Sequence, residues 1–198
     1  MIVRDEASRL SDAVESARAL VDEVVIIDTG STDGTAELAH RLGARVLLYP
    51  WGDDFAAARN ASIDASVGDW ILALDADERI APEAFPVIRE AVLDEGALGY
   101  FMRQRNHFPG GCHAIRTLRL WRRHPEARFR YPIHEQILPS LAERAARDGG
   151  RIAELPVAIE HFGYAQSAET TRRKLERNAR IMARYLEDRP DDLYMTYV

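Results

Sequence analysis

The sequence has one cysteine, Cys112, so it can close no disulfide within the chain. It has no apolar stretch long enough to cross a bilayer and no secretory signal. It also lacks a surplus of positive charge, since 26 Lys and Arg stand against 32 Asp and Glu for a formal net charge of -6. That balance leaves no general electrostatic footprint for nucleic acid or an anionic lipid surface, so any anionic ligand must be held locally. Together these absences predict a soluble cytoplasmic protein with no transmembrane segment and no nucleic-acid partner.

With 198 residues, 46% of them hydrophobic, the chain is long enough for one domain with a real core. Through the first half, apolar strand-like runs alternate with amphipathic helical ones. "MIV" reads as the end of a strand, and "SRLSDAVESARALV" places Leu10, Val14, Ala17 and Leu20 at helical spacing. The strand "EVVIID", a helix from about Ser31 to Leu42, the strand "ARVLLYP", the helix "DFAAARNASIDAS" and the strand "WILALDA" follow. This β-α order predicts an α/β fold with a mostly parallel sheet flanked by helices. From Gly99 onward, shorter runs such as "GYFMRQRN", "AIRTLRLWRR" and "RIAELPVAI" predict mixed or antiparallel strands. The tail predicts a long helix over about Ala168–Asp188, with Leu175, Ala179, Met182 and Leu186 on one face. Both ends read as trimmed: Met1 leaves the first strand few residues and Val198 interrupts a helix start, as in one domain of a longer protein.

The stretch "WILALDADE" ends an apolar run in three carboxylates. In a parallel α/β sheet, ligands bind beyond the carboxyl ends of the strands. If strand geometry persists, Asp75 and Asp77 project to one side, where they repel unless a hard cation such as magnesium or manganese lies between them. The simpler alternative is that Asp77 or Glu78 caps a helix beginning near Pro82. "VVIIDTGSTDGT" likewise ends a strand in an acid, Asp28, followed by Gly30 and Gly34, which permit close backbone approach, and by Ser31 or Thr32 as helix cap. The turn has neither G-x-G-x-x-G spacing nor a Walker lysine, which excludes the usual dinucleotide and P-loop assignments. Asp28 is placed to accept a hydrogen bond from a base or ribose, or else to form an Asx-turn.

"MIVRDEASRL", "VVIIDTGSTDGT", "WGDDFAAARNASIDASVGDWILALDADE", "YPIHEQI" and "IEHFGY", in that order, resemble the nucleotide-sugar-dependent glycosyltransferases of family 2, and most of all a bacterial branch often continued by tetratricopeptide-like helical repeats. The resemblance spans nearly the whole chain and implies a GT-A fold over 1–198. Within it, residues 1–98 would bind the nucleotide-sugar, 99–166 would form a smaller acceptor-side region, and 167–198 would be a C-terminal helix that could open a further helical region. It implies that Asp28 contacts the nucleobase, with Thr29 standing where many members have a second Asp. Gly30 would belong to the same turn. Val3 and Arg4 would line the base pocket through backbone atoms, and Arg59 would face the nucleotide. Asp75 would reach the ribose or metal and Asp77 would ligate the metal. His161 would be the third metal ligand, with His134 competing for that role. Glu135 would be the catalytic base.

The resemblance further implies a divalent metal, Mn2+ or Mg2+, a UDP-sugar donor with UDP-glucose as the default, and a single inverting displacement at the anomeric carbon. The acceptor is a glycan, a lipid-linked sugar or a peptide, and a homodimer or a C-terminal helical-repeat domain is the expected assembly. "TLRLWRR" is the nearest stretch to the Gln-x-x-Arg-Trp element of processive synthases, so polymer synthesis across a membrane is not expected. A non-catalytic nucleotide-sugar-binding module remains open, as does a sugar nucleotidyltransferase, although the latter would begin with a glycine-rich phosphate loop.

Overall fold

A computed structural model describes residues 1–163 and 168–197. Tyr164 of "IEHFGY" and the boundary expected at 166 and 167 lie outside the described residues. The first sheet is parallel and has three strands, β1 (Ile2–Val3), β2 (Val25–Asp28) and β3 (Arg45–Leu48), in that spatial order. All four residues of β2 are buried, as a run of β-branched side chains covered on both faces requires. Helix α1 (Leu10–Ala17) buries Leu10, Ala13, Val14 and Ala17, a single stripe, and joins Val3, Ile26 and Ala39 in one core cluster. Helices α2 (Thr35–Arg41) and α3 (Phe55–Ala65) complete this half, and Asp54 caps α3 by accepting a hydrogen bond from Ala57 N at 2.8 Å.

The second sheet is mixed. Its strands are β4 (Trp70–Leu72), β5 (Glu78–Ile80), β6 (Ala97–Phe108), β7 (Gly111–Arg122) and β8 (Arg151–His161), in the order β4-β7-β6-β8-β5. β6 and β7 form a long antiparallel hairpin closed by Pro109 and Gly110, while β8 runs parallel to β6. Helices α4 (Phe85–Ala91) and α5 (Leu138–Asp148) pack on this sheet. The long helix α6 (Ala168–Asp188) lies where the tail's periodicity predicts and the short α7 (Leu193–Tyr197) closes the chain, but of the expected face Leu175 and Ala179 are exposed, because α6 turns Ile181, Met182 and Leu186 toward its neighbours. Ile181 and Met195 from this pair bury against Ile133, beside Trp51, Phe55 and Tyr131.

Two expectations change in detail. The strand "WILALDA" is regular only to Leu72 and pairs antiparallel with β7, not with the parallel sheet. Its ladder ends with Ala73 N donating to Arg119 O at 2.8 Å, after which Asp75 N turns to Glu78 Oε2 at 2.9 Å. A side-chain acceptor thus replaces the next ladder partner and draws the chain out of the sheet. The helix expected from Ser31 begins at Thr35, and its cap is neither Ser31 nor Thr32. Those two hydroxyls bond Asp5, through Asp5 N to Ser31 Oγ at 2.9 Å and Thr32 Oγ1 to Asp5 Oδ1 at 3.2 Å, while Asp33 accepts from Thr35 N at 3.0 Å. The loop after β1 is zipped onto the loop after β2, which leaves both at the carboxyl edge of the parallel sheet.

Candidate active site

Asp28 ends the central parallel strand, paired with Val3 on one side and Leu48 on the other. Its Oδ1 accepts from Gly30 N at 2.8 Å and Ser31 N at 2.7 Å, an Asx-type turn made possible by the positive φ of 105° at Gly30. Its Oδ2 is buried and has no protein donor. Thr29 does not replace a second acid: its hydroxyl donates to Val3 O at 3.0 Å and is consumed in packing. The same carbonyl accepts from Thr29 N, so the backbone oxygen of Val3 is occupied, while Arg4 is exposed at the rim.

Arg59 leaves α3 toward the second sheet and joins two of the predicted acids. Its guanidinium grips Asp75 through two bonds of 3.0 and 3.2 Å and donates from Nε to Glu135 at 2.6 Å. Arg119 of β7 approaches Asp75 from the other side at 3.6 Å. Burial raises the Asp75 carboxyl, but the two guanidiniums outweigh it and hold the group well below the usual carboxylate range. Arg119 also donates to Glu78 at 2.5 Å and to Gln104 at 2.8 Å. Glu78 is therefore no helix cap. It is 1% exposed, the start of β5, and burial pushes its carboxyl up despite Arg119.

From Gln104 the network continues. Gln104 Nε2 donates to Asn106 Oδ1 at 3.1 Å, and the same oxygen lies 2.6 Å from His161 Nδ1. That bond orients the ring so that His161 Nε2 faces Asp77 Oδ2 at 3.4 Å. Burial opposes the charge on His161, yet Asp77, Glu78 and Asp75 raise its pKa above the ordinary value. Asp77 further sees Arg9 at 3.9 Å. A Cβ built on Gly163 would collide with Asp77 Oδ2 and lie 2.5 Å from His161 Nε2. Gly163 therefore packs directly against the pair, where any side chain would displace one of them.

Of the expected metal ligands, Asp77 and His161 come together and Asp75 does not join them. Among the described residues no group of three His, Cys, Asp or Glu is arranged to hold a metal. The chain turns after Ala73, so Asp75 and Asp77 do not share a strand face. Asp75 takes the bidentate guanidinium geometry that suits a carboxylate. An oxygen and an imidazole nitrogen 3.4 Å apart do fit one hard cation, whose bonds of about 2.1 Å place neighbouring ligands about 3 Å from each other. His134 is exposed, with its carbonyl accepting from Tyr194 OH at 2.9 Å.

Glu135 sits in a turn whose shape is over-determined. Tyr131 and His134 adopt positive φ of 73° and 52°, uncommon for residues with side chains. The turn is closed by reciprocal 3.0 Å bonds between Arg130 and Gln136. Asn60 clamps Phe129 N and O at 2.8 and 3.0 Å, and Phe55 N donates to Pro132 O at 2.8 Å. Sequence reasoning gave no role at the site to Asn106, Arg119, Gly163 or Tyr194, although "GYFMRQRN", "TLRLWRR" and "IEHFGY" contain the first three, and it offered Glu78 only as a helix cap.

A parallel α/β half joined to a mixed sheet, with an acidic centre at the strand ends, defines a GT-A type fold. The glycosyl transferase family 2 model matches residues 1–144, and the chain belongs to that family. A TPR repeat-containing protein of Synechococcus elongatus is 39% identical over 98% of this chain and 49% of its own length. An uncharacterized glycosyltransferase of Rickettsia felis is 39% identical over 42% of this chain and 29% of its own. The chain thus spans half or less of the length of these relatives. Glucosyl-3-phosphoglycerate synthase of Mycobacterium tuberculosis, solved with Mn2+ and UDP-glucose, superposes with a TM-score of 0.64 at 18% identity, covering 94% of this chain and 76% of that one. No helix among the described residues is long and apolar enough to cross a membrane.

Proposed function

We propose that the chain carries out inverting sugar transfer from a nucleotide-sugar, a UDP-sugar with UDP-glucose as the default, with Mn2+ or Mg2+ held by Asp77 and His161. The observation that carries this reading is the convergence of those two side chains at 3.4 Å, with a glycine packed against them. The mycobacterial enzyme's Mn2+ and UDP-glucose support the same donor and metal. Asp28, whose Oδ2 lacks a protein donor, accepts from the base, and Gly30, Val3 and Arg4 shape that end of the pocket. Asp75 orients the ribose side while Arg59 and Arg119 hold it ionised. Charge neutralisation on the departing diphosphate is the contribution of the bound cation.

Glu135 takes the acceptor's proton as the nucleophile bonds the anomeric carbon and the nucleoside diphosphate leaves. The TPR-containing relative supports a helical-repeat region as the neighbour of this domain in a longer protein.

The test is calorimetric titration of UDP and GDP into the protein, with and without Mn2+, beside Asp77→Ala. Metal-dependent UDP binding that disappears in the variant is the expected outcome. Binding of neither nucleotide, or binding indifferent to both metal and Asp77, would overturn the donor site.

A further inference from the structure

The β6–β7 hairpin has one open edge. β7 is bonded to β6 along its length, but on its other side β4 reaches only Leu120–Arg122, and the last bond is Ala73 N to Arg119 O. Beyond it the chain turns off toward Asp75, and among the described residues no strand lies on that side from Gly111 to Leu118. Gly111 through Arg116 are all exposed. Long edges of this kind invite pairing with another chain, and proteins normally blunt them with proline, lysine or a bulge. Here the stretch 111–118 has no proline, no lysine and no register shift.

The hairpin turn is two residues long, so Phe108 and Gly111 form the bonded pair beside it, and alternation directs the N–H and C=O of Cys112, Ala114 and Arg116 outward.

This edge is continuous with the site. A strand added to it would lie in line with β4 and end where the chain bends to Asp75, at Arg119. Gln104 and Asn106 of β6 pair with Ile115 and His113 of β7, so these side chains share the face that carries the Asn106 bond to His161. Toward the tip that face exposes Ile115 and Phe108, at 45% and 41%, as apolar contacts for alternate side chains of an added strand.

We propose that the acceptor is an extended peptide that pairs with β7 along residues 111–118 and presents a hydroxyl or thiol side chain at the Asp75 end. The inference rests on the donor reading above. In the transfer, the peptide oxygen or sulfur bonds the anomeric carbon, the bond from that carbon to the diphosphate breaks, the nucleoside diphosphate leaves, and the proton passes to Glu135. Alternating backbone donors and acceptors are what this edge complements, and a glycan offers no such alternation.

The experiment offers the protein UDP-glucose, Mn2+ and a library of decapeptides with one central Ser, Thr or Cys, beside mono- and disaccharide acceptors. Added hexose is read by mass spectrometry. Hexose on peptides is expected, and Ala114→Pro, which removes one outward N–H, is expected to lower kcat/KM for the best peptide about tenfold while Mn2+-dependent UDP binding stays at the wild-type value. Because that variant could misfold, the best peptide is also made with N-methylated alternate amides, which must lose reactivity with the unaltered protein. Hexose on saccharides alone, or full reactivity of both the Ala114→Pro protein and the N-methylated peptide, would overturn the proposal. So would a wild-type dimer that Ala114→Pro dissolves with no peptide modified, since the edge would then join two copies. Absence of UDP binding would instead bring down the donor reading beneath it.

Discussion

Gly163→Ala tests the proposed metal pair, Asp77 and His161, with one methyl group. The new Cβ would lie 2.5 Å from His161 Nε2 and collide with Asp77 Oδ2, where real Cβ contacts essentially never fall below 3.0 Å. Gly163 is outside the left-handed region, so alanine adds no backbone strain and the effect is steric and local. A methyl group cannot coexist with the present positions of both side chains, so Asp77 or His161 must turn away and the two cease to converge.

Altering a residue behind a metal ligand typically costs 10- to 100-fold in affinity, so disrupting the ligands themselves is expected to cost at least about 100-fold. Titration of Mn2+ into the UDP-saturated protein measures this, with thermal unfolding as the control for folding. Wild-type Mn2+ affinity in a folded Gly163→Ala protein would refute the assignment of Asp77 and His161.

Two further expectations follow from the polar network. Glu78→Ala strips Arg119 of its buried partner and leaves Asp75 N without an acceptor, and it is expected to destabilise by about 3 kcal/mol, a fall in Tm of about 6–12 °C in a chain of this size; a shift under about 2 °C would mean the pair is solvated. Tyr194→Phe deletes the bond to His134 O, and since that bond steadies the turn carrying Glu135, kcat is expected to drop several-fold while the Kd for UDP is unchanged. An equal loss in UDP affinity would show that α7 supports the whole domain and not that turn.

Much of the fold was legible because its signals are local. The β-branched run of β2, the apolar stripe of α1 and the long amphipathic α6 each follow from periodicity within one segment. The change after Gly99 announced a differently built half. Helix α2 starts later than its sequence suggests because Ser31 and Thr32 bond a loop 26 and 27 residues away, a choice that no local pattern records. Strand β4 stops early because Glu78 and Arg59 compete for the residues beyond it.

By itself, the sequence determined that acids end two strands, that a histidine and a glutamate follow in the second half, and that the ordered motifs resemble one family. These depend on residue identity and spacing along the chain. Only the tertiary structure decided that Asp77 meets His161 while Asp75 turns to Arg59, that Asn106 orients the His161 ring and Gly163 packs against the pair, and that among the described residues no strand covers the outer side of β7 from Gly111 to Leu118. Each of these turns on which side chains approach across sheets distant in sequence, where hydrogen-bond geometry and burial, and not spacing, select the partner.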